Sequence, residues 1–309
     1  MKLATTTGDF EDYDLTPAEA VRCFEGTGFR YLDYSFYNVI YPGSPFLGND
    51  WMAQVRDAAK AAEQMGLTFI QAHSPGYNCL SMGADHEIGL LATIRSIEAC
   101  DYLGIRNIVV HGGYGYRYPE ERDKFFEKLR DFFRKLFPAM EKYNVNVLIE
   151  NGAEKIMGRR CFFMTATDMT DFIEYIGHPL IHACWDVGHA NIRGTNQYDD
   201  ICKLGSELYA VHIQDNFGTY DEHFAPFMGT LNLDAIMQGL LEIDYPGYFT
   251  FEAGYILRPA DVRPHIRQKF VGNMPNRLMR SSLTLKRKAI GLLFEIGKYI
   301  LESYDCFEE

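Results

Sequence analysis

The chain has 309 residues, of which 47% are hydrophobic and 23% are charged, and its formal net charge is −12. This length allows one large hydrophobic core, because α/β barrels of this size are often single domains. The negative charge opposes binding to nucleic acid or to an anionic membrane, since both attract Lys and Arg. No apolar run approaches the roughly 18 residues of a membrane span. The first residues lack the pattern of a signal peptide, so we expect a cytoplasmic protein.

Short apolar runs typical of strands alternate with helical patterns along the chain. The predicted strands are 2–7, 29–34, 68–73, 107–111, 146–150, 181–186, 208–213 and 248–252. A first predicted helix begins at Thr16, and a second ends at Met65. The other predicted helices are 86–103, 119–143, 167–176, 198–204, 232–243 and 283–304. Capping residues support two of these bounds: Thr16 precedes Pro17, and Gly104 follows the helix 86–103.

Alternation of strands and helices without a Gly/Ser-rich linker predicts one domain with a parallel sheet. An open, doubly wound sheet would normally have a Gly-rich first turn, and no segment here has that spacing. We therefore predict a (β/α)8 TIM barrel over residues 1–255 as the catalytic domain. A long C-terminal helical extension, 256–309, is expected to pack on the barrel or on a partner subunit, and a tail of this kind favours a homo-oligomer.

Ligand-type side chains end the last four predicted strands: Glu150, Asp186, His212 and Glu252. In a barrel they converge at one rim, where three carboxylates without a counter-charge would repel one another. A divalent cation would neutralise them. Oxygen ligands with one imidazole favour Mn²⁺, while Mg²⁺, Co²⁺ or Zn²⁺ also fit. The sequence therefore predicts a site for one divalent cation.

Further polar residues lie at or just beyond the predicted strand ends. They are candidates for substrate binding or for additional metal ions, and comprise His73, His111, His189, Asp221 and His223. Aromatic side chains that could exclude water from the same region are Phe36, Tyr37, Tyr77, Tyr114 and Trp185. The amides of Asn151 and Gln214 are candidates for contacts with substrate hydroxyls.

Cationic side chains are concentrated in residues 255–288. This segment contains nine Lys and Arg residues and one acidic residue, Asp261. We expect this segment to form a solvated face or a subunit contact, and binding of an anionic ligand is the alternative. Other cations follow strands five and six, where they could contact a phosphorylated substrate or remain solvated. These are Lys155, Arg159, Arg160 and Arg193.

The order of motifs resembles that of the xylose-isomerase-like barrel superfamily over roughly residues 2–255. The motifs are His73-Ser74-Pro75, His111-Gly112-Gly113, Glu150-Asn151, Asp186-Val187-Gly188-His189, His212-Ile213-Gln214-Asp215-Asn216, Asp221-Glu222-His223 and Phe251-Glu252. This superfamily contains sugar and sugar phosphate isomerases and epimerases, inosose dehydratases and three-zinc apurinic endonucleases. The resemblance implies that Glu150 and Glu252 are the catalytic acid–base pair as well as metal ligands, and that His189 holds a substrate hydroxyl.

We therefore predict a metal-dependent isomerase or epimerase of a sugar or sugar phosphate, which abstracts a proton next to a carbonyl and forms an enediolate. One alternative is a three-zinc apurinic endonuclease-type phosphodiesterase, since the chain has a candidate for each of its nine ligands. Another is a metal-dependent lyase or dehydratase acting on a keto-sugar or inositol derivative. The ketose 3-epimerases carry an arginine shortly after the strand-seven histidine, whereas none occurs between His212 and Gly229.

Overall fold

Eight parallel strands form a barrel in the computed structural model, which describes residues 1–153 and 163–309. The strands are β1 Leu3–Thr6, β2 Tyr31–Ser35, β3 Thr68–His73, β4 Asn107–Val110, β5 Asn146–Glu150, β6 Ile181–Asp186, β7 Leu208–His212 and β8 Phe249–Phe251. Successive strands pair from β1 to β7, and β8 pairs with β1. Backbone hydrogen bonds from Ile213 N to Thr250 O, 2.8 Å, and from Glu252 N to Ile213 O, 3.0 Å, join β7 to β8. The predicted TIM barrel is confirmed.

Helices surround the strands, and the two capping residues that the sequence indicates bound α1 and α3. Those that the structure describes are α1 Pro17–Arg22, α2 Ala53–Met65, α3 Ala84–Leu103, α4 Arg122–Phe133, α5 Phe137–Tyr143, α6 Ala166–Ile176, α7 Val187–Arg193, α8 Gln197–Leu204, α9 Leu233–Glu242 and α10 Leu283–Glu302. The side chain of Thr16 accepts a hydrogen bond from Glu19 N at the start of α1. Gly104 ends α3 in the left-handed conformation, with φ 74°. Of these helices, none has the length and apolar composition of a membrane span.

Two helical predictions are wrong in detail. The single helix expected over 119–143 is broken into α4 and α5, and Pro138 lies in the first turn of α5. A proline there lacks an N–H group, and in a continuous helix its ring would clash with the carbonyl of Arg134. Helix α7 was not predicted, and it begins directly after β6 because the side chain of Asp186 accepts a hydrogen bond from His189 N.

Strand alternation decides which side chains point into the barrel. Val109, Leu148, Cys184 and Ala210, one from each of β4 to β7, form a small buried cluster of their own. Successive side chains of a strand point to opposite faces, so the residue two positions later shares the inward face. For the last three strands of this group that residue is Glu150, Asp186 or His212. The register of β6 and β7 sets Asp186 directly beside His212.

The C-terminal helix α10 packs closely against the barrel. Ile290, Leu293 and Leu301 on α10 are buried. A Cβ atom added at Gly297 would lie 2.6 Å from the ring of Phe251 on β8 and 2.7 Å from Leu3 on β1. The segment between β8 and α10 is largely irregular. Division of the chain at residue 255 stays a prediction, as does any packing of the extension on a partner subunit.

We expect Gly297→Ala to lower the free energy of unfolding by about 1–3 kcal/mol, because the added methyl group overpacks the contact with β1 and β8. Gly291→Ala is the matched control. Its Cβ would be 3.8 Å from Thr27, so it should be neutral or stabilise by up to about 1 kcal/mol through helix propensity. Urea unfolding measures both variants, and equal effects would contradict the close packing of α10 on the barrel.

Candidate active site

The four residues predicted to hold a cation meet at the C-terminal mouth of the barrel. One ligand atom from each of Glu150, Asp186, His212 and Glu252 lies within 4.8 Å of the others. His212 Nδ1 is 2.7 Å from Glu150 Oε1 and 3.4 Å from Glu252 Oε2. The consecutive strands β5 to β8 thus bring together residues that span about a hundred positions of the chain.

The donor set fits a divalent cation. Asp186 is fully buried, and its Oδ2 has no hydrogen-bond partner among the residues that the structure describes. Burial, with a further contribution from the negative charge of Glu150, raises the pKa of Asp186 to about 6. A buried carboxylate oxygen normally has a partner, and a cation bound between Asp186 and the two glutamates would supply it. The preference for Mn²⁺ stays a prediction.

Polar side chains below and beside this group fix its geometry. Gln71 Nε2 lies 2.9 Å from His212 Nε2 and donates to Asp33 Oδ2 at 2.7 Å, so the opposite ring nitrogen, Nδ1, faces the glutamates. Asn151 accepts a hydrogen bond from Asp186 N at 2.7 Å and donates to Asp186 O at 2.8 Å. The amide of Asn151, which was expected to contact a substrate hydroxyl, therefore hydrogen-bonds the backbone at the end of β6.

A second group, His73, His111 and Glu150, adjoins the first. His111 Nε2 lies 2.8 Å from Glu150 Oε2 and 3.1 Å from His73 Nε2. Burial opposes ionisation of Glu150, but His212, His111 and His73 together outweigh it and hold the pKa of Glu150 well below its usual value. Glu150 thus links two groups of potential metal ligands.

A third group is centred on Asp221. Its Oδ2 lies 3.2 Å from His189 Nε2 and 2.9 Å from His223 Nε2. His189 Nδ1 lies 2.8 Å from the backbone carbonyl of Asn151, and His223 Nδ1 lies 2.8 Å from that of Glu252. Carbonyl contacts of this kind orient the other ring nitrogen, as in metal-binding histidines. All nine predicted site residues therefore lie at one mouth, although their individual roles stay predictions.

A cavity of about 560 Å³ opens above these groups. Of the aromatic residues expected to wall it, Tyr37, Tyr77 and Tyr114 line it. The expectation is wrong for Phe36 and Trp185, which are buried in the core. Trp185 precedes the inward-facing Asp186, so strand alternation points its ring outward against the helices.

Several residues that line the cavity are not predicted by any motif in the sequence. Asp9, Glu11 and Asp12 follow β1 and line the cavity, as does Arg263 in the C-terminal extension. The position of Asp9 just after a predicted strand, like that of the other site residues, could have predicted its place at the cavity. The amide of Gln214, expected near substrate, instead donates to Asp221 Oδ1 at 2.5 Å.

The expectation of a solvated basic segment is wrong for Lys286, whose side chain is 1% exposed. Its Nζ donates a hydrogen bond to the carbonyl of Gly254. Three of the cations considered for a phosphorylated substrate, Lys155, Arg159 and Arg160, lie outside the described residues. Arg193 ends α7 and is not among the described residues that line the cavity.

The family described as xylose isomerase-like TIM barrel matches residues 27–267 of the sequence. The chain belongs to this family. Among curated relatives of this xylose isomerase-like barrel, the uncharacterised protein y4fM of Sinorhizobium fredii is 28% identical over 165 residues, which are 50% of each chain. The chain thus spans about half the length of the curated relatives it matches.

Solved structures with the same fold include two sugar epimerases. The 3-keto-D-glucoside 4-epimerase YcjR from E. coli has a TM-score of 0.66 and 20% identity, with 95% of this chain and 98% of that one covered. The D-psicose 3-epimerase from Clostridium cellulolyticum has a TM-score of 0.70 and 17% identity, with 97% and 99% covered. At these identities the likeness shows the fold of the xylose isomerase-like barrel.

After treatment with a chelator, the protein should gain thermal stability when Mn²⁺ is added, because a ligand that binds only the folded state stabilises it. The gain is about 2.7 kcal/mol at a free metal concentration of a hundred times Kd. Asp186→Asn removes one carboxylate and should reduce the shift in melting temperature. Asp57→Asn, on the exposed face of α2, is the control and should retain it. Equal shifts in the two variants would argue against a cation at Asp186.

Proposed function

We propose that the protein is a metal-dependent isomerase or epimerase that acts on a small sugar or sugar phosphate. The observation that carries this proposal is the approach of two glutamates, Glu150 and Glu252, to the same nitrogen of His212 at the base of the cavity. A volume of about 560 Å³ lies within the range for small-molecule sites. Two carboxyl groups beside one bound molecule suit proton removal and proton return.

The position of the two glutamates supports the following reaction. One of them, as a carboxylate, takes a proton from the carbon beside the substrate carbonyl, and the C–H electron pair forms the double bond of an enediolate. The other, which starts protonated, returns a proton. Delivery to the same carbon from the opposite face gives an epimer. Delivery to the former carbonyl carbon, with transfer of the adjacent hydroxyl proton to the former carbonyl oxygen, gives an aldose–ketose isomer.

Other groups support this chemistry. A divalent cation held by Glu150, Asp186, His212 and Glu252 would polarise the carbonyl and stabilise the negative charge that develops. Tyr37, Tyr77 and Tyr114 cover the cavity walls and limit the access of water to the enediolate. We also propose that His189, whose Nε2 faces Asp221 at the cavity, binds a substrate hydroxyl.

With Mn²⁺ and a panel of ketopentoses, ketohexoses and their phosphates in D₂O, the protein should convert at least one sugar and introduce deuterium at the reacting carbon. Glu150→Gln and Glu252→Gln should each lower kcat by roughly 10²–10⁴-fold, because each removes an acid–base group. Glu63→Gln, on the surface of α2, should keep full activity.

NMR gives the site of deuteration and the product. Absence of exchange with every sugar, or full activity in both cavity variants, would refute the proposal. Loss of a β-substituent after exchange would instead identify the lyase or dehydratase alternative, which shares the first proton transfer.

A three-metal phosphodiesterase is the second candidate. The observation that favours it is the division of nine residues into three groups of histidines and carboxylates that share one mouth. The charge of the cavity opposes it, since Asp9, Glu11 and Asp12 line the wall in addition to the ligand residues. DNA phosphates would meet these carboxylates on a protein of net charge −12.

Metal analysis and a cleavage assay separate the two candidates. We expect one divalent ion for each chain, no cleavage of a duplex with an abasic site, and metal content in His223→Asn equal to that of the wild type. Three tightly bound zinc ions, reduced in number by His223→Asn and accompanied by cleavage, would establish the phosphodiesterase instead. His178→Asn, which replaces a histidine outside the mouth, is the matched control.

A further inference from the structure

Asp9 is a buried carboxylate with a free oxygen at the cavity. It lies in the 3-10 turn Thr7–Phe10 that follows β1, it lines the cavity, and its side chain is 1% exposed. Oδ2 accepts a hydrogen bond from Thr5 Oγ1 at 2.6 Å. Oδ1 has no hydrogen-bond partner in the part of the chain that the structure describes. Buried polar atoms of native proteins are rarely left unpaired, so we expect this oxygen to accept a hydrogen bond from a ligand.

The place of Asp9 in the barrel relates it to the proposed reaction. Three of the predicted metal ligands end β5, β6 and β7, the fourth follows β8, and β1 is the next strand around the ring. Asp9 also adjoins the chain just beyond Glu252, since a Cβ atom at Gly254 would lie 3.4 Å from Asp9 Oδ1. A sugar whose reacting carbons lie between Glu150 and Glu252 can therefore extend along the mouth toward Asp9.

Lys286 supports Asp9 from behind the cavity. It is buried on α10, is not among the described residues that line the cavity, and donates to the carbonyl of Gly254. Burial raises the pKa of Asp9 to about 6, and the charge of Lys286 opposes that rise. The carboxylate is therefore ionised at neutral pH and can accept a charge-assisted hydrogen bond.

We propose that Asp9 Oδ1 accepts a hydrogen bond from a substrate hydroxyl remote from the reacting carbons, and that Lys286 positions Asp9 for this contact. The inference rests on the proposed function and narrows its substrate class. An anionic acceptor selects a neutral hydroxyl group at this end of the sugar and disfavours a phosphate group, because two negative charges would meet there.

The test compares the ketohexose that the protein converts best with its analogues deoxygenated at C4, C5 or C6. The wild-type protein should lose roughly 10- to 100-fold in kcat/KM with one analogue, as expected for a hydrogen bond to a charged group. Asp9→Ala should show a similar loss with the parent sugar and no further loss with that analogue. Deuterium exchange into dihydroxyacetone, which lacks the remote hydroxyls, should be the same in both proteins.

Equal losses of Asp9→Ala with the parent and all three analogues, or no loss at all, would overturn the inference, as would a 6-phosphate that is the better substrate. Failure of the proposed function looks different, because the wild-type protein would then exchange deuterium into no ketose. Asp9→Asn, which keeps the shape of the side chain, provides the same comparison if the alanine variant does not fold.

Lys286→Met tests the positioning role. We expect a higher KM for the parent sugar, a smaller change for the discriminating analogue, and an unchanged kcat. Lys288→Met is the matched control, because Lys288 is exposed on the same helix, and its kinetics should equal those of the wild type. If Lys286→Met lowered kcat for parent and analogue alike, or behaved like Lys288→Met, the positioning role would be wrong.

Discussion

The structure depends on holding like charges together at the mouth of the barrel. Glu150, Asp186 and Glu252 each place an oxygen within 4.8 Å of the others, and burial opposes ionisation of Glu150 and Asp186. Backbone pairing of β5 to β8 holds the three chain segments in register, so the Cα atoms that carry the carboxylates stay close together. Imidazoles compensate part of the charge: His212, His111 and His73 favour the ionised form of Glu150. Asp186 receives less compensation, so its unpartnered oxygen is the main support for the proposed cation site.

The strands that the sequence predicted correctly follow from local periodicity. An apolar run that closes on a polar residue defines a buried strand and its C-terminal end, and β6, Ile181–Asp186, has the predicted bounds. The alternation that buries Leu148 and Cys184 inside the barrel also aims Glu150 and Asp186 into its mouth. The same pattern, an apolar run that ends on a polar residue, therefore predicts both the strands and the site, since parallel strands all end at the same rim.

Local sequence patterns do not predict the burial of a side chain when that burial depends on contacts between distant elements. Lys286 lies in a strongly basic stretch, which is typical of a solvated surface, yet the packing of α10 beside β8 buries it against Gly254 O. Asp9 follows the first strand without a motif around it, and only the tertiary structure shows that it is buried and that its Oδ1 has no partner among the described residues. Trp185 was assigned to the mouth by its closeness in sequence to Asp186, although neighbouring strand residues point to opposite faces.

The charge of the cavity also bears on the kind of molecule it can bind. Its described lining contains one Lys or Arg, Arg263, whereas carboxylates occur both in the proposed ligand group and along the β1 side. A cation between Glu150, Asp186, His212 and Glu252 would neutralise the first set but not Asp9, which lies toward β1. Polyhydroxylated neutral molecules satisfy such a surface, since each hydroxyl can donate to a carboxylate oxygen, and a polyanion cannot donate in this way. This distribution of charge favours neutral polyhydroxylated molecules over polyanions as ligands of the cavity.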